Sequence, residues 1–200
     1  MRTEFHASGS DKAYLRRYKQ TIAIGAFASY LENLSLKSDV LTGSHKRKRV
    51  IVAADHRGFE YKTKIVEKFK GKYGIEVIDI GTFFRDRCDY PIKSLEIASQ
   101  ISQYPIVTAG IGVCGSGIGM LMPALKLHGV YGARCLTPDD AINYRKQANI
   151  NMLALGADSM TLETAIATVE AWITTPFSNK GVYFDRFKEM RELEGKILSN

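Results

Sequence analysis

Apolar and polar positions along the chain follow two different rhythms. From Tyr14 to Leu36 the apolar residues Leu15, Tyr18, Ile22, Phe27, Leu31 and Leu34 recur at three- to five-residue spacings, which predicts a helix. From residue 49 onward, short apolar runs alternate with amphipathic ones. The runs Arg49–Ala54, Glu76–Ile80, Ile106–Val113, Val130–Cys135 and Met152–Leu155 predict buried strands. Between them Phe59–Phe69 carries an apolar stripe of Tyr61, Ile65, Val66 and Phe69, the mark of a helix lying on a core. Pro91–Ser102, Met120–Leu127, Ala141–Gln147, Thr161–Ile173 and Tyr183–Leu198 are the other predicted helices. Thr137 is placed to cap one of them, with Pro138 at its first position. Strand–helix alternation of this kind predicts an α/β fold, a five-stranded parallel sheet covered on both faces.

The 200 residues suit one domain and an extension. We place the extension at residues 1–48 and the domain at 49–200. Residues 1–13 are small and polar, a disordered lead, and Ser38 to His45 reads as a linker. Apolar content of 45% and charged content of 24% are those of a soluble globular chain. Ile22–Ala28 is far too short to span a membrane. The net charge of +7 is unevenly spread: residues 1–49 hold ten Lys/Arg and four Asp/Glu, leaving the remainder nearly neutral. The run Lys46-Arg47-Lys48-Arg49 therefore reads as a solvated flank rather than a nucleic-acid surface. The acids Glu4 and Asp11 weigh against an organellar presequence. Cys88, Cys114 and Cys135 form no close pair, which indicates neither a zinc site nor a disulfide framework. A reducing, cytoplasmic compartment is expected, with no metal, no other cofactor and no membrane or nucleic-acid partner.

Candidate chemistry concentrates at Val113-Cys114-Gly115-Ser116-Gly117-Ile118-Gly119. A strand, a glycine-rich turn and a helix start point several backbone N–H groups into one volume, where developing negative charge is stabilised. A cysteine there is favoured as thiolate. The spacing is neither a Walker loop nor the dinucleotide fingerprint. On its own it also fits a buried cysteine before a tight turn. In parallel sheets, however, ligands collect at the carboxyl ends of the strands. That rule brings Asp55-His56 and Asp89-Tyr90 to the same edge as the cysteine loop.

These segments, in order, are Val52-Ala53-Ala54-Asp55-His56-Arg57-Gly58-Phe59, Val77-Ile78-Asp79-Ile80-Gly81-Thr82, Asp89-Tyr90-Pro91 and Cys114-Gly115-Ser116-Gly117-Ile118-Gly119. The chain thereby resembles the type B ribose-5-phosphate isomerase / galactose-6-phosphate isomerase family over about residues 49–190. The resemblance implies a Rossmann-like αβα sandwich and an aldose–ketose isomerase that works on a phosphorylated sugar through an enediolate, without a metal. It implies a homodimer or a tetramer with sites at the subunit interface. Cys114 is then the base that carries a proton between C1 and C2. Gly115, Gly117 and Gly119 supply N–H groups to the enediolate, and Ser116 assists ring opening. Asp55 and Tyr90 hold sugar hydroxyls, and His56 meets the phosphate.

Two segments depart from that pattern. Ribose-type members carry His-Asn within Arg-x-His-Asn, where this chain has Arg145-Lys146-Gln147-Ala148. Gln147 cannot exchange a proton near neutral pH. Near the C-terminus Lys180-Gly181-Val182-Tyr183 replaces a Gly-Gly-Arg-His run, while Arg186 keeps a second phosphate-binding arginine. Leu125 stands where Asn is common. Ribose 5-phosphate is the expected substrate. The alternatives are a six-carbon phosphate, with this chain as the cysteine-bearing subunit beside a paralogous partner, and a non-catalytic sugar-phosphate-binding relative.

Overall fold

The computed structural model describes Arg47, residues 49–178 and residues 180–198. The sheet is built from β1 (Arg49–Ala54), an interior strand whose last five residues are all buried. This strand pairs in parallel with β2 (Glu76–Asp79) on one side and β3 (Thr108–Cys114) on the other. β5 (Met152–Gly156) adds to β3, and the three-residue β4 (Gly132–Arg134) closes that edge. The resulting order, β2-β1-β3-β5-β4, sends the chain outward from β1 to β2 and then back across to β3. Between β1 and β3 the direction of winding reverses, which opens a crevice at their carboxyl ends.

Successive strand residues face opposite ways, so one strand feeds two cores. Val50, Val52 and Ala54 join Ile111, Val113, Leu153 and Leu155 beneath α1 (Phe59–Phe69), α4 (Pro138–Ala148) and α5 (Leu162–Thr174). Ile65, Phe69, Ala141, Val169 and Trp172 come from those helices. Ile51 and Ala53 instead face α2 (Tyr90–Gln103) and α3 (Ile118–Ala124), meeting Ile97, Ile101, Met120 and Ala124. Burial on both faces explains why the strands read as continuous apolar runs. α6 (Val182–Leu198) lies against the segment entering β4: Phe187 packs edge-on to Tyr131 at 5.1 Å. At the opposite end of the chain, Arg47 donates to the carbonyls of Thr108 and Ile150 at the amino edge of the sheet.

The helix expected over Tyr14–Leu36, the lead and the linker lie outside the described residues. Elsewhere the expected elements form, with shifted ends. β3 begins at Thr108 rather than Ile106 and runs through Cys114, so the cysteine is the last strand residue and pairs in register with Gly156. α2 begins at Tyr90 and ends at Gln103. β4 shrinks from Val130–Cys135 to Gly132–Arg134. α3 covers Ile118–Ala124 instead of Met120–Leu127. Pro123, inside it, has no N–H for a helical bond. The chain then tightens: Lys126 and Leu127 donate to Pro123 and Ala124, three residues back. The remaining ends move by a residue or so, the ordinary uncertainty of helix fraying.

Candidate active site

Cys114 ends β3 at 3% exposure, inside the crevice. Its sulfur accepts a hydrogen bond from the Gly117 N–H at 3.1 Å. Gly117 has φ +81, and a Cβ there would lie 3.1 Å from the Leu155 carbonyl carbon. Both the turn and the close strand demand glycine. Ser116 is exposed at the tip of the loop, and its hydroxyl accepts from the Ile118 N–H at 3.3 Å. At Cys135, burial, helped by Asp140, pushes the thiol up to about 12, so that cysteine is inert as a nucleophile.

Asp55 follows β1 and is 5% exposed. Its Oδ1 accepts from the N–H groups of Arg57 and Gly58 at 2.9 and 3.0 Å, which orders the turn into α1 and leaves Oδ2 for a ligand. His56 is half-buried and held through Nδ1, which lies 3.0 Å from the Cys88 carbonyl oxygen. Tyr90 opens α2, and its ring covers Gly119, where a Cβ would come within 2.9 Å of it. The three segments that the sequence placed at one edge therefore meet around the cysteine loop.

Gln147 and Arg186 do not join them. Gln147 is exposed near the C-terminal end of α4, which delivers the chain to the amino end of β5. The register sets Met152 beside Gly110 and Gly156 beside Cys114. Gln147 is thus beyond the opposite edge of the sheet, more than about 13 Å from the cysteine at strand rise. Arg186 lines a groove of about 570 Å³ between α6 and residues 125–131, which precede β4 at that same far edge.

Four further residues brace the loop without having been singled out from the sequence. Arg57 and Asp158 form an ion pair directly over Gly115, whose Cβ would meet both side chains at under 3 Å. The Asp158 N–H donates to the Gly115 carbonyl at 2.9 Å. Arg134 donates from Nε to the Ser116 carbonyl at 2.6 Å and from Nη2 to Ser159 Oγ at 2.8 Å. Asp158, Ser159 and Arg134 all stand at strand carboxyl ends, and that position was the available signal. Among the described residues no group of three or more His, Cys, Asp or Glu is arranged to hold a metal ion, and no helix is long and apolar enough to cross a membrane.

A family model described as ribose/galactose isomerase matches residues 50–190, a span that holds every residue discussed above from Asp55 to Arg186. The chain belongs to the ribose/galactose isomerase family. Ribose-5-phosphate isomerase B of Escherichia coli is 35% identical over 126 residues, covering 63% of this chain and 83% of that protein. Solved structures agree. Ribose-5-phosphate isomerase B of Clostridium thermocellum superposes with a TM-score of 0.68 at 32% identity, over 74% of this chain and 99% of that one. The enzyme of Mycoplasma genitalium with bound ribulose-5-phosphate gives 0.70 at 28% identity, over 76% and 99%. As a member of this family the chain is an aldose–ketose isomerase, and the Rossmann-like α/β sandwich is the family's fold.

Proposed function

We propose that this isomerase interconverts ribose 5-phosphate and ribulose 5-phosphate through an enediolate, with Cys114 as the base. The observation that carries the reading is the Cys114 sulfur, buried at the switch point and met by the Gly117 N–H at 3.1 Å. It is supported by the likeness to an enzyme solved with ribulose-5-phosphate. In the aldose direction the thiolate removes the C2 proton. The electron pair forms the C1–C2 double bond and the negative charge moves to O1. The O2 hydroxyl proton passes to O1, the carried proton returns to C1, and the carbonyl forms at C2. Amide donors of Gly115 and Gly119 stabilise the oxyanion, the interaction that lowers such barriers most, while the Gly117 N–H is engaged by the Cys114 sulfur. Ser116 assists ring opening, Asp55 and Tyr90 hold hydroxyls, and His56 Nε2 meets the phosphate.

Gln147 and Arg186 serve this chemistry from a second copy of the chain, because their own copy puts them at the far edge of the sheet. The site is then shared across a homodimer interface. Gln147 positions substrate by hydrogen bonding and exchanges no proton, so Ser116 carries ring opening without a histidine. The test is turnover of ribose 5-phosphate by the purified protein alone, with Cys114→Ala beside it. The reading expects steady turnover that the substitution reduces at least a thousandfold, a magnitude typical of removing a group that moves the proton. Turnover confined to a six-carbon phosphate, or appearing only after a paralogous subunit is added, would reassign the substrate or the assembly. Binding of phosphosugar without turnover would mark a non-catalytic relative.

A further inference from the structure

The Cys–Gly loop presents its N–H groups to one side because its carbonyls are held on the other. The Ser116–Gly117 peptide is the clearest case. Its carbonyl accepts from Arg134 Nε at 2.6 Å, while its N–H donates to Cys114 Sγ at 3.1 Å. The bond is not among the cis peptides, so carbonyl and N–H point in opposite directions across one plane. Pulling the oxygen toward β4 aims the hydrogen at the cysteine. Arg134 is itself fixed by donating to Ser159 Oγ at 2.8 Å, and its Cγ lies 3.3 Å from where a Gly117 Cβ would be. Only a planar fork reaches both acceptors at once, which a lysine ammonium does not. The neighbouring peptide repeats the arrangement, with the Gly115 carbonyl held by the Asp158 N–H at 2.9 Å.

We propose that Arg134 is a positioning residue of the isomerase reaction, acting through the Ser116–Gly117 peptide to hold an amide N–H on the Cys114 sulfur. Its effect on turnover rests on the reading of Cys114 as the base; its effect on the sulfur does not. The charged and titratable groups around that sulfur are Asp55 and His56 after β1, Arg57 and Asp158 over Gly115, Tyr90 on α2, and Arg134 itself.

The experiment is the pH dependence of Cys114 alkylation by iodoacetamide in the full-length protein, followed on the Cys114 peptide by mass spectrometry. Arg134→Met, Arg134→Lys and Ser159→Ala are compared, each checked by thermal unfolding. The expected result for Arg134→Met is a midpoint moved to higher pH, with kcat down roughly 10- to 100-fold and KM within about twofold. Arg134→Lys retains a donor and falls between it and the native protein. If Arg134→Met does not fold, Arg134→Lys and Ser159→Ala carry the comparison, each with a smaller upward move. A folded Arg134→Met protein with the native alkylation profile overturns the proposal, whatever its turnover. A shifted profile, in a protein whose native form turns over no phosphosugar, upholds the positioning role and removes the reading of Cys114 as base.

Discussion

Gly117 holds together two demands that no other side chain meets. Its positive φ of +81 disfavours any L-residue, and a Cβ would press against the Leu155 and Gly156 backbone at 3.1 and 3.2 Å. Gly117→Ala is expected to cost about 2 kcal/mol of stability from left-handed strain and crowding. It also turns the N–H away from Cys114, so kcat falls roughly tenfold or more. Urea unfolding and steady-state turnover on one preparation check both effects. The turn itself was legible in the sequence, because alternating glycines after an apolar run mark a tight loop, but only its company with Asp55-His56 and Asp89-Tyr90 set it apart from a merely structural one. Arg57 was in view inside the motif Asp55–Gly58 but carried no signal of its role, since its partner Asp158 is distant in sequence. Lys62 is a second example. On a stripe reading it belongs to solvent, yet it is 2% exposed and reaches Asp79 at 2.5 Å beneath Phe59 and Phe83. A long aliphatic stem can be buried when its charge finds an acid, and one-dimensional periodicity cannot show that acid.

Helix α6 is held to the body by Phe187, packed on Tyr131, and by the carboxylate of Glu194. Glu194 accepts from the Gly129 N–H at 2.8 Å and the Tyr131 hydroxyl at 2.6 Å, and lies 2.9 Å from His128 Nδ1. Burial pushes its carboxyl up, but hydrogen bonds from His128, Tyr131 and Gly129 outweigh burial and hold it below the ordinary 4.5. A carboxyl depressed in the folded state stabilises fully above its unfolded value and loses that contribution as pH falls through its folded value. The native protein should therefore lose an increment of thermal stability as pH drops below about 4.5, which Glu194→Gln lacks. At pH 7 the same substitution should cost about 1–3 kcal/mol, the range for removing a charged hydrogen-bond acceptor. Thermal unfolding between pH 3 and pH 7 reads both. Burial also dominates Tyr131, whose hydroxyl it pushes well above its usual range, so the tyrosine stays a donor throughout. The helix itself was readable from its pattern, whereas its docking depends on residues more than sixty positions apart. The foreshortened α3 had a visible cause in Pro123, which the spacing of Met120 and Leu127 obscured.

At the scale of the whole chain, one edge of the sheet carries Cys114 and the other carries Gln147 and Arg186. A shared site predicts complementation between two inactive chains. Cys114→Ala and Arg186→Ala proteins, each nearly inactive, should recover about a quarter of native activity after unfolding and refolding together, because half of the dimers are mixed and each has one intact site. No recovery would place both residues in the site of a single copy, against the register of β3 and β5. The sheet and its layers followed directly from strand–helix alternation. The separation of the two residue groups did not, because strand order is fixed by packing among distant segments and β4 is only three residues long. The family's motifs supplied the grouping that the chain's own periodicity could not.

The proposed reaction depends on one role, the exchange of the carbon-bound proton by Cys114. Solvent deuterium incorporation into ribose 5-phosphate and ribulose 5-phosphate, followed by NMR with the native protein and with Cys114→Ala, measures that exchange independently of product build-up. That role predicts deuterium at C2 of the aldose and C1 of the ketose with the native chain, and none above the uncatalysed background with the variant. Exchange that persists undiminished in Cys114→Ala would contradict it and assign the proton to another group.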